Sequence, residues 1–261
     1  RLERESLRLL GDVGSLAADK AGLEATFQRA LSGVWMAFQP IVDYAGRRVH
    51  GYEALLRTED SVLNSPLAVL DAAERLQQVH PLGRLVRRRV AEHMDDVPID
   101  AMVFVNLHPA DLEDDDLLDP RSPLSEHAER IVLEITERAK LGGIDDVSRR
   151  VAKLRDLGFR IAVDDLGAGY AGLGAYVQLS PDLVKLDGAL VNGVAQDSRR
   201  QGVVSAMLNL GRHMGNQVIL EGVETMDDVR TVVGMGANLL QGYALARPGR
   251  PFPEVPPAVY E

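Results

Sequence analysis

Cysteine is absent from all 261 residues. That excludes disulfides, thiolate zinc sites, iron–sulfur clusters and a cysteine nucleophile, so any metal must sit on oxygen or imidazole. Basic charge is also short, with 39 acidic residues against 29 Lys and Arg and a formal net charge of −10. This balance disfavours binding of nucleic-acid duplexes or anionic membranes through a basic face, but it leaves room for a small anionic ligand received by metals or a few arginines. No apolar run is long enough to span a bilayer, and no basic-then-apolar signal segment opens the chain. A cytoplasmic domain without membrane contact of its own is therefore expected. The first residue is Arg1 rather than methionine. Residues 1–16 are expected to be a connecting helix from a missing upstream region, a place for a sensor or membrane part, with one domain over 17–261.

What is present is globular: 46% of the residues are hydrophobic, enough for one large core or two ordinary domains. Short apolar runs predict strands at Met36–Val42, Val49–Leu56, Met102–Leu107, Ile131–Ile135, Arg160–Val163, Leu183–Leu186, Gln217–Leu220 and Ala237–Leu240. Helical periodicity falls between most of them, over 66–78, 83–94, 144–157, 198–214 and 225–233. That alternation predicts βα units and a parallel sheet, and eight strands in this length fit a TIM-like (β/α)8 barrel of the α/β class. Only "DYAGRR" separates the first two strands, so they are expected to form a hairpin, leaving one antiparallel strand at the seam. The segment 111–127, "DLEDDDLLDPRSPLSEH", reads as a solvated loop with short helical turns. The proline-rich tail "RPGRPFPEVPPAVYE" reads as extended and either packed on the surface or frayed.

In such a barrel the active site is built at the C-terminal ends of the strands. Here those ends carry Glu53, Asn106, Glu134, Asp164, Asp165, Lys185, Glu221 and Gln241. Any one acid in such a position is usually a helix cap or half of a surface ion pair. So many together, several directly after an apolar run, point instead to a shared mouth. Converging carboxylates with one amide oxygen, and neither thiolates nor a histidine pair, suit hard cations such as Mg²⁺ or Mn²⁺. Adjacent Asp164 and Asp165 repel unless something relieves them. Two cations about 3.5–4 Å apart would do so, and would clamp a phosphodiester while generating a nucleophile from water. Lys185 either orients that water and the developing charge or forms a salt bridge to Asp164 or Asp187.

The six histidines make no metal motif. His50, His80, His93, His127 and His213 read as surface or packing residues, while His108 stands two residues beyond Asn106. A competing reading comes from "GAGYAG", Gly167 to Gly172, which satisfies GxGxxG after a strand, with Asp187 about 20 residues on. Two carboxylates immediately before the loop oppose a pyrophosphate there. Pro181 also closes the following segment too early for a crossover helix.

The ordered segments "YEALLR" (52–57), "VNL" (105–107), "LEITER" (133–138), "VDDLGAGYAGL" (163–173), "DLVKLD" (182–187), "ILEGVET" (219–225) and "QGY" (241–243) resemble the successive motifs of EAL domains, from about Trp35 to Pro248. The resemblance implies a TIM-like barrel that hydrolyses cyclic di-GMP to linear pGpG with two Mg²⁺ or Mn²⁺ ions and is inhibited by Ca²⁺. It implies Glu53, Asn106, Glu134 and Asp164 as ligands of one metal, with Asp164 bridging and Asp165 serving the second. Lys185 and Glu221 would position the water, Gln241 would support the site, and Glu224 would hold the glycine loop. Gln39 and Arg57 would contact the nucleotide. It also implies a homodimer formed near the glycine loop, and an upstream sensor or regulatory domain. The departures are Leu166, Ala168, Ala171 and Gly172, which stand where the family commonly has Phe, Thr and two Ser, and His108 where a small polar residue is usual. Lost hydroxyls cost about 0.5–1.5 kcal/mol each in hydrogen bonding. The alternative expectation is therefore a weak or inactive cyclic di-GMP receptor of the same fold, although receptors of that kind typically lose metal carboxylates and here every acid is present.

Overall fold

All eight expected strands are present, and they close into a barrel in chain order. The computed structural model describes residues 19–136, 146–167 and 172–261; the connecting helix expected over 1–16 lies outside them. The strands are β1 (Val34–Asp43), β2 (Arg48–Thr58), β3 (Met102–Leu107), β4 (Ile131–Thr136), β5 (Arg160–Leu166), β6 (Leu183–Leu186), β7 (Gln217–Leu220) and β8 (Leu239–Leu240). From β2 to β8 every neighbouring pair is parallel. β1 meets β8 antiparallel, with Val42 opposite Leu240. The short "DYAGRR" connection reverses β1 because six residues cannot carry a crossover. Its turn is closed by Gly46 N donating to Asp43 Oδ1 and by Arg47 N donating to the Tyr44 carbonyl. A closed barrel also removes the open-sheet crevice that the dinucleotide reading of the glycine loop requires.

Two compact units divide the chain. The first comprises the residues up to Trp35 with Leu56–Leu82. It holds the helix α1 over residues 19–32 and α2 (Pro66–Arg75). Phe27 and Ala30 are buried on α1, and Val69, Ala72 and Ala73 on α2. Ser65 caps α2 by accepting from Ala68 N, with Pro66 at the first helical position where its missing N–H costs nothing.

The second unit, Met36–Leu55 with Gly83–Glu261, contains the barrel interior. A layer of Ile41, Phe104, Val132, Ala162, Leu183, Ile219 and Leu239 fills it. Side chains alternate faces along a strand, so the residue two positions on points into the same interior one layer away. Stepping two residues toward the C-terminal mouth gives Asn106, Glu134, Asp164, Lys185, Glu221 and Gln241. In the reversed strand β1 the same step runs backwards, from Ile41 to Gln39. The polar cluster is thus the next layer of the same interior. On β2 the residue two before Glu53 is Gly51, where a Cβ would come within 2.9 Å of the Phe104 ring and 2.6 Å of the Met102 carbonyl. Only glycine leaves Phe104 room to plug the barrel floor.

Outside the sheet run α3 (Val79–Ala91), α4 (Val147–Asp156), α5 (Gly172–Leu179), α6 (Gly188–Val191), α7 (Ser198–Met214) and α8 (Met226–Gly234). Val204 and Leu208 of α7 and Val229 and Val232 of α8 form one apolar cluster with Leu186, Leu220 and Leu240. Each fully buried aliphatic of this size contributes roughly 1.5–3 kcal/mol. Among the described residues no helix is long and apolar enough to cross a membrane.

Part of the acidic segment departs from the solvated loop expected of it. Asp111 and Asp114 are buried, and Arg87 of α3 holds them at 3.1 and 2.5 Å while reaching Asp116 at 3.2 Å. An acid run looks solvated in sequence because its partner lies more than twenty residues upstream. His108 caps the short helix Pro109–Glu113 through Nδ1, which accepts from Ala110 N, while its own N–H donates to Asp111. The tail packs rather than frays: Val259 is buried, Phe38 and Gly249 exchange backbone hydrogen bonds, and the Phe252 ring lies 4.4 Å from that of Phe38.

Candidate active site

The layer above the apolar floor is organised by one cation. Lys185 Nζ lies 2.6 Å from Glu221 Oε1, 2.8 Å from Glu134 Oε1, 3.2 Å from Glu53 Oε2 and 3.3 Å from Asp164 Oδ1. Its side chain is 1% exposed. Of the two salt bridges the sequence allowed it, the one to Asp164 is present. Asp187 instead caps α6 by accepting from Ala189 N.

Glu53 is bracketed by two amides: Asn106 Nδ2 donates to Oε1 and Gln241 Nε2 donates to Oε2, each at 2.8 Å. Gln241 Nε2 also faces Gln39 Oε1 at 3.4 Å, and Gln39 Nε2 donates to the Ala246 carbonyl. Both donors on Glu53 favour its ionised form and hold the carboxylate in one orientation.

Asp164 and Asp165 answer a geometric question that adjacency in sequence leaves open. Neighbours on a regular strand face opposite sides of the sheet. Here the β5–β6 register shifts between Val163 and Leu166, so three residues on β5 span two on β6, and Asp165 takes a left-handed backbone with φ 57°. The bulge re-aims the second aspartate. As a result, carboxylate oxygens of Asp164, Asp165 and Glu221 come within 4.8 Å of one another. No sequence signal distinguishes this bulge from an ordinary strand end except the glycine at 167, itself at φ 107°.

The electrostatics follow from burying four carboxyl groups around one cation. Burial lifts Glu134 well above the usual carboxylate range, with Lys185 pulling against it. Burial likewise raises Asp164, and raises Glu221 to about 8. Glu53 is the exception: burial would raise it, but Lys185 and the bonds from Gln241 and Asn106 outweigh that and hold it low. Burial depresses Lys185, yet the surrounding carboxylates prevail and its ammonium is held well above its ordinary range. Raised carboxyls of this kind hold protons that an incoming divalent cation would displace.

The donor set fits hard divalent ions. It is all oxygen, with no histidine in the cluster, and Glu134 Oε2 and Gln241 Oε1 are buried without a hydrogen-bond partner. An unpaired buried carboxylate oxygen costs on the order of 1–3 kcal/mol, which a coordinated ion would recover.

A cavity of about 320 Å³ opens here, lined by Gln39, Glu53, Glu221, Glu224, Gln241 and Tyr243 among others. Glu224 is exposed on its wall, while most of the glycine loop it is expected to hold, residues 168–171, lies outside the described residues. Leu166 is buried at the end of β5, and Gly172 opens α5. Arg57 belongs to the other unit, and its Nη1 donates to the Leu56 carbonyl. Tyr243 lies in the "QGY" segment but carries no role in the sequence reading; the fold adds that its ring is exposed at the cavity.

Gly222 follows Glu221 at φ +66°, and a Cβ there would lie 2.7 Å from the Gly188 Cα. Gly222→Ala is expected to cost about 1–3 kcal/mol from the left-handed backbone alone. It should also spread the loops after β6 and β7, displacing Glu221 from Lys185. Thermal unfolding beside a turnover assay should show both losses together.

A family profile described as EAL domain matches residues 24–248. Among curated proteins, the chain is 31% identical over 224 residues to the probable cyclic di-GMP phosphodiesterase PdeN of Escherichia coli, covering 82% of this chain and 43% of that protein. It is 31% identical over 221 residues to the bifunctional diguanylate cyclase/cyclic di-GMP phosphodiesterase MucR of Pseudomonas aeruginosa, covering 81% and 32%. Among solved structures, PaMucR phosphodiesterase in complex with c-di-GMP superposes with a TM-score of 0.76 at 29% identity, over 87% of this chain and 97% of that one. Klebsiella pneumoniae BlrP1 with manganese and cyclic di-GMP at pH 6 gives 0.72 at 26%, over 83% and 56%. The chain spans less than half the length of the first curated relatives it matches.

Proposed function

The chain belongs to the EAL-domain family, and from that premise we propose that it hydrolyses cyclic di-GMP to linear pGpG with two bound Mg²⁺ or Mn²⁺ ions. The observation that carries this reading is the gathering of Glu53, Glu134, Asp164 and Glu221 around Lys185 Nζ. A structural role alone needs one carboxylate for one lysine. Four at one ammonium leave carboxyl oxygens that a cation would take by displacing their protons.

Glu53, Asn106, Glu134, Asp164 and Asp165 are the residues that would hold the ions. When bound, the ions polarise the phosphodiester and make hydroxide accessible near neutral pH. Asn106 and Gln241 keep Glu53 ionised and fixed. Lys185 and Glu221, 2.6 Å apart, orient the attacking water, and Glu221, poised at about 8, suits transfer of its proton. Water oxygen bonds to phosphorus, the bond from phosphorus to the 3′ oxygen breaks, and a proton ends on that oxygen. Opening one linkage gives the linear dinucleotide. Gln39, tied to Gln241 and Ala246, is placed to meet the nucleotide. The reading also assigns the chain a second copy of itself and an upstream regulatory region as partners.

Incubation with cyclic di-GMP and Mn²⁺ or Mg²⁺, followed chromatographically, tests it. The parent is expected to release linear pGpG, and Glu53→Ala to lose about 10²-fold or more of the rate, since losing even an outer partner of a metal ligand costs 10–100-fold. Tight binding without product would favour the receptor reading instead.

A pH dependence follows from the same acids. Carboxyls with raised pKa values hold protons below those values, and a cation must expel them to bind. Mn²⁺ affinity is therefore expected to climb as pH rises toward about 8, where Glu221 ionises. Titration calorimetry near neutrality, in two buffers of different ionisation enthalpy, should register net proton release; zero release would contradict the assignment.

A further inference from the structure

Tyr243 stands apart from the acid cluster. It is 52% exposed and is the one aromatic among the most exposed large apolar side chains of the described residues. Yet it lines the same cavity as Gln39, Glu53, Glu221 and Gln241. The guanidinium carbon of Arg247 sits 4.4 Å from the centre of its ring. A tight turn brings the pair together: Leu245 N and Ala246 N both donate to the Gly242 carbonyl, and Ala244 N donates to that of Val223. Gly242 is obligatory in this turn, because a Cβ there would fall 2.1 Å from the Val223 carbonyl oxygen. Gln39 donates into the same turn at Ala246, so the mouth of the site and the aromatic ring are tied to one piece of backbone.

We infer that Tyr243, backed by Arg247, is a stacking platform for one guanine of the bound nucleotide, a recognition element separate from the acids that cut. The inference rests on the reading of a cyclic dinucleotide as substrate. Every nucleobase has a π face that an exposed aromatic ring receives. A cation against one face of the ring restrains it before the ligand arrives, which lowers the ordering cost of binding. None of the described residues lining the cavity is basic, so the guanidinium beside the ring adds positive charge suited to an anionic nucleotide. The ring's exposure in the free chain is what a platform requires and what packing does not.

The test compares the parent with Tyr243→Ala, Tyr243→Phe and Arg247→Ala in Mn²⁺-dependent hydrolysis, with nucleotide binding measured separately by calorimetry. Stacking of this kind predicts that Tyr243→Ala raises KM and Kd by about 5- to 100-fold, with kcat changed less than about threefold and Tm unmoved. Tyr243→Phe should behave as the parent, and Arg247→Ala should fall between. Unchanged Kd in Tyr243→Ala, or a loss confined to kcat, overturns the platform. A parent that binds the nucleotide without cutting it defeats the proposed function, yet the Kd comparison still decides the platform. A parent that does not bind defeats both.

Discussion

Asp164→Asn is expected to lower hydrolysis of cyclic di-GMP by about 10³-fold or more, since each 1.36 kcal/mol of lost transition-state stabilisation is tenfold and ion-mediated charge stabilisation is worth several kcal/mol. The same substitution should leave the cation-free fold as stable as the parent or more so. Asp164 sits with Glu53, Glu134 and Glu221 around a single ammonium, and burial and like charge already hold its pKa above the usual range. Asparagine keeps the shape, removes the repulsion and gives up one of four ion pairs. Opposite signs for activity and stability distinguish a functional acid from a structural one. Rate measurement beside a melting curve in EDTA would show them. Parallel losses would mean that Asp164 serves the fold.

Lys185→Met is expected to do the reverse to stability. It removes the one cation buried among the four carboxylates, and breaking a buried ion pair from one side typically costs about 3–5 kcal/mol. Part of that is recovered by protonation, so the deficit depends on pH. Carboxyls whose folded pKa is raised support the fold while protonated and lose that support as pH rises from the unfolded value toward the folded one. For Glu221 that window runs from 4.5 to about 8. Without Lys185 the raised values climb further, so the variant should be closest to the parent in acid and fall away steadily toward pH 8. Mn²⁺ should restore much of the lost Tm, because it supplies the missing positive charge, while hydrolysis stays low for want of the ammonium that orients water. Melting curves across pH, with and without the ion, separate these outcomes. A deficit that does not vary with pH would contradict the charge argument.

The strands and the mouth residues were legible because barrel chemistry follows the period of two. Each apolar run ends in a polar residue that shares its interior face, and that is visible in "IVLE" or "QVILE" without coordinates. The reversed first strand was legible from a connection too short for a crossover. Three features were not. Adjacency of Asp164 and Asp165 suggests a shared site, but regular strand geometry would separate them. The bulge that unites them depends on β5 pairing with β6, a contact no local pattern encodes. The acids at 111–116 looked solvated, while Arg87 buries two of them. Lys185 was legible as a candidate, either to orient water or to form a salt bridge to Asp164 or Asp187; its central place among four carboxylates comes from the convergence of separate strands. In each case the missing information is tertiary, and the local sequence is compatible with both outcomes.

The most direct test of the account is an anomalous difference map from crystals grown with saturating Mn²⁺. Two peaks are predicted within the cage of Glu53, Asn106, Glu134, Asp164 and Asp165, both lost in Asp164→Asn. A cage that stays empty at saturating ion, or peaks only at the surface acids, would contradict it.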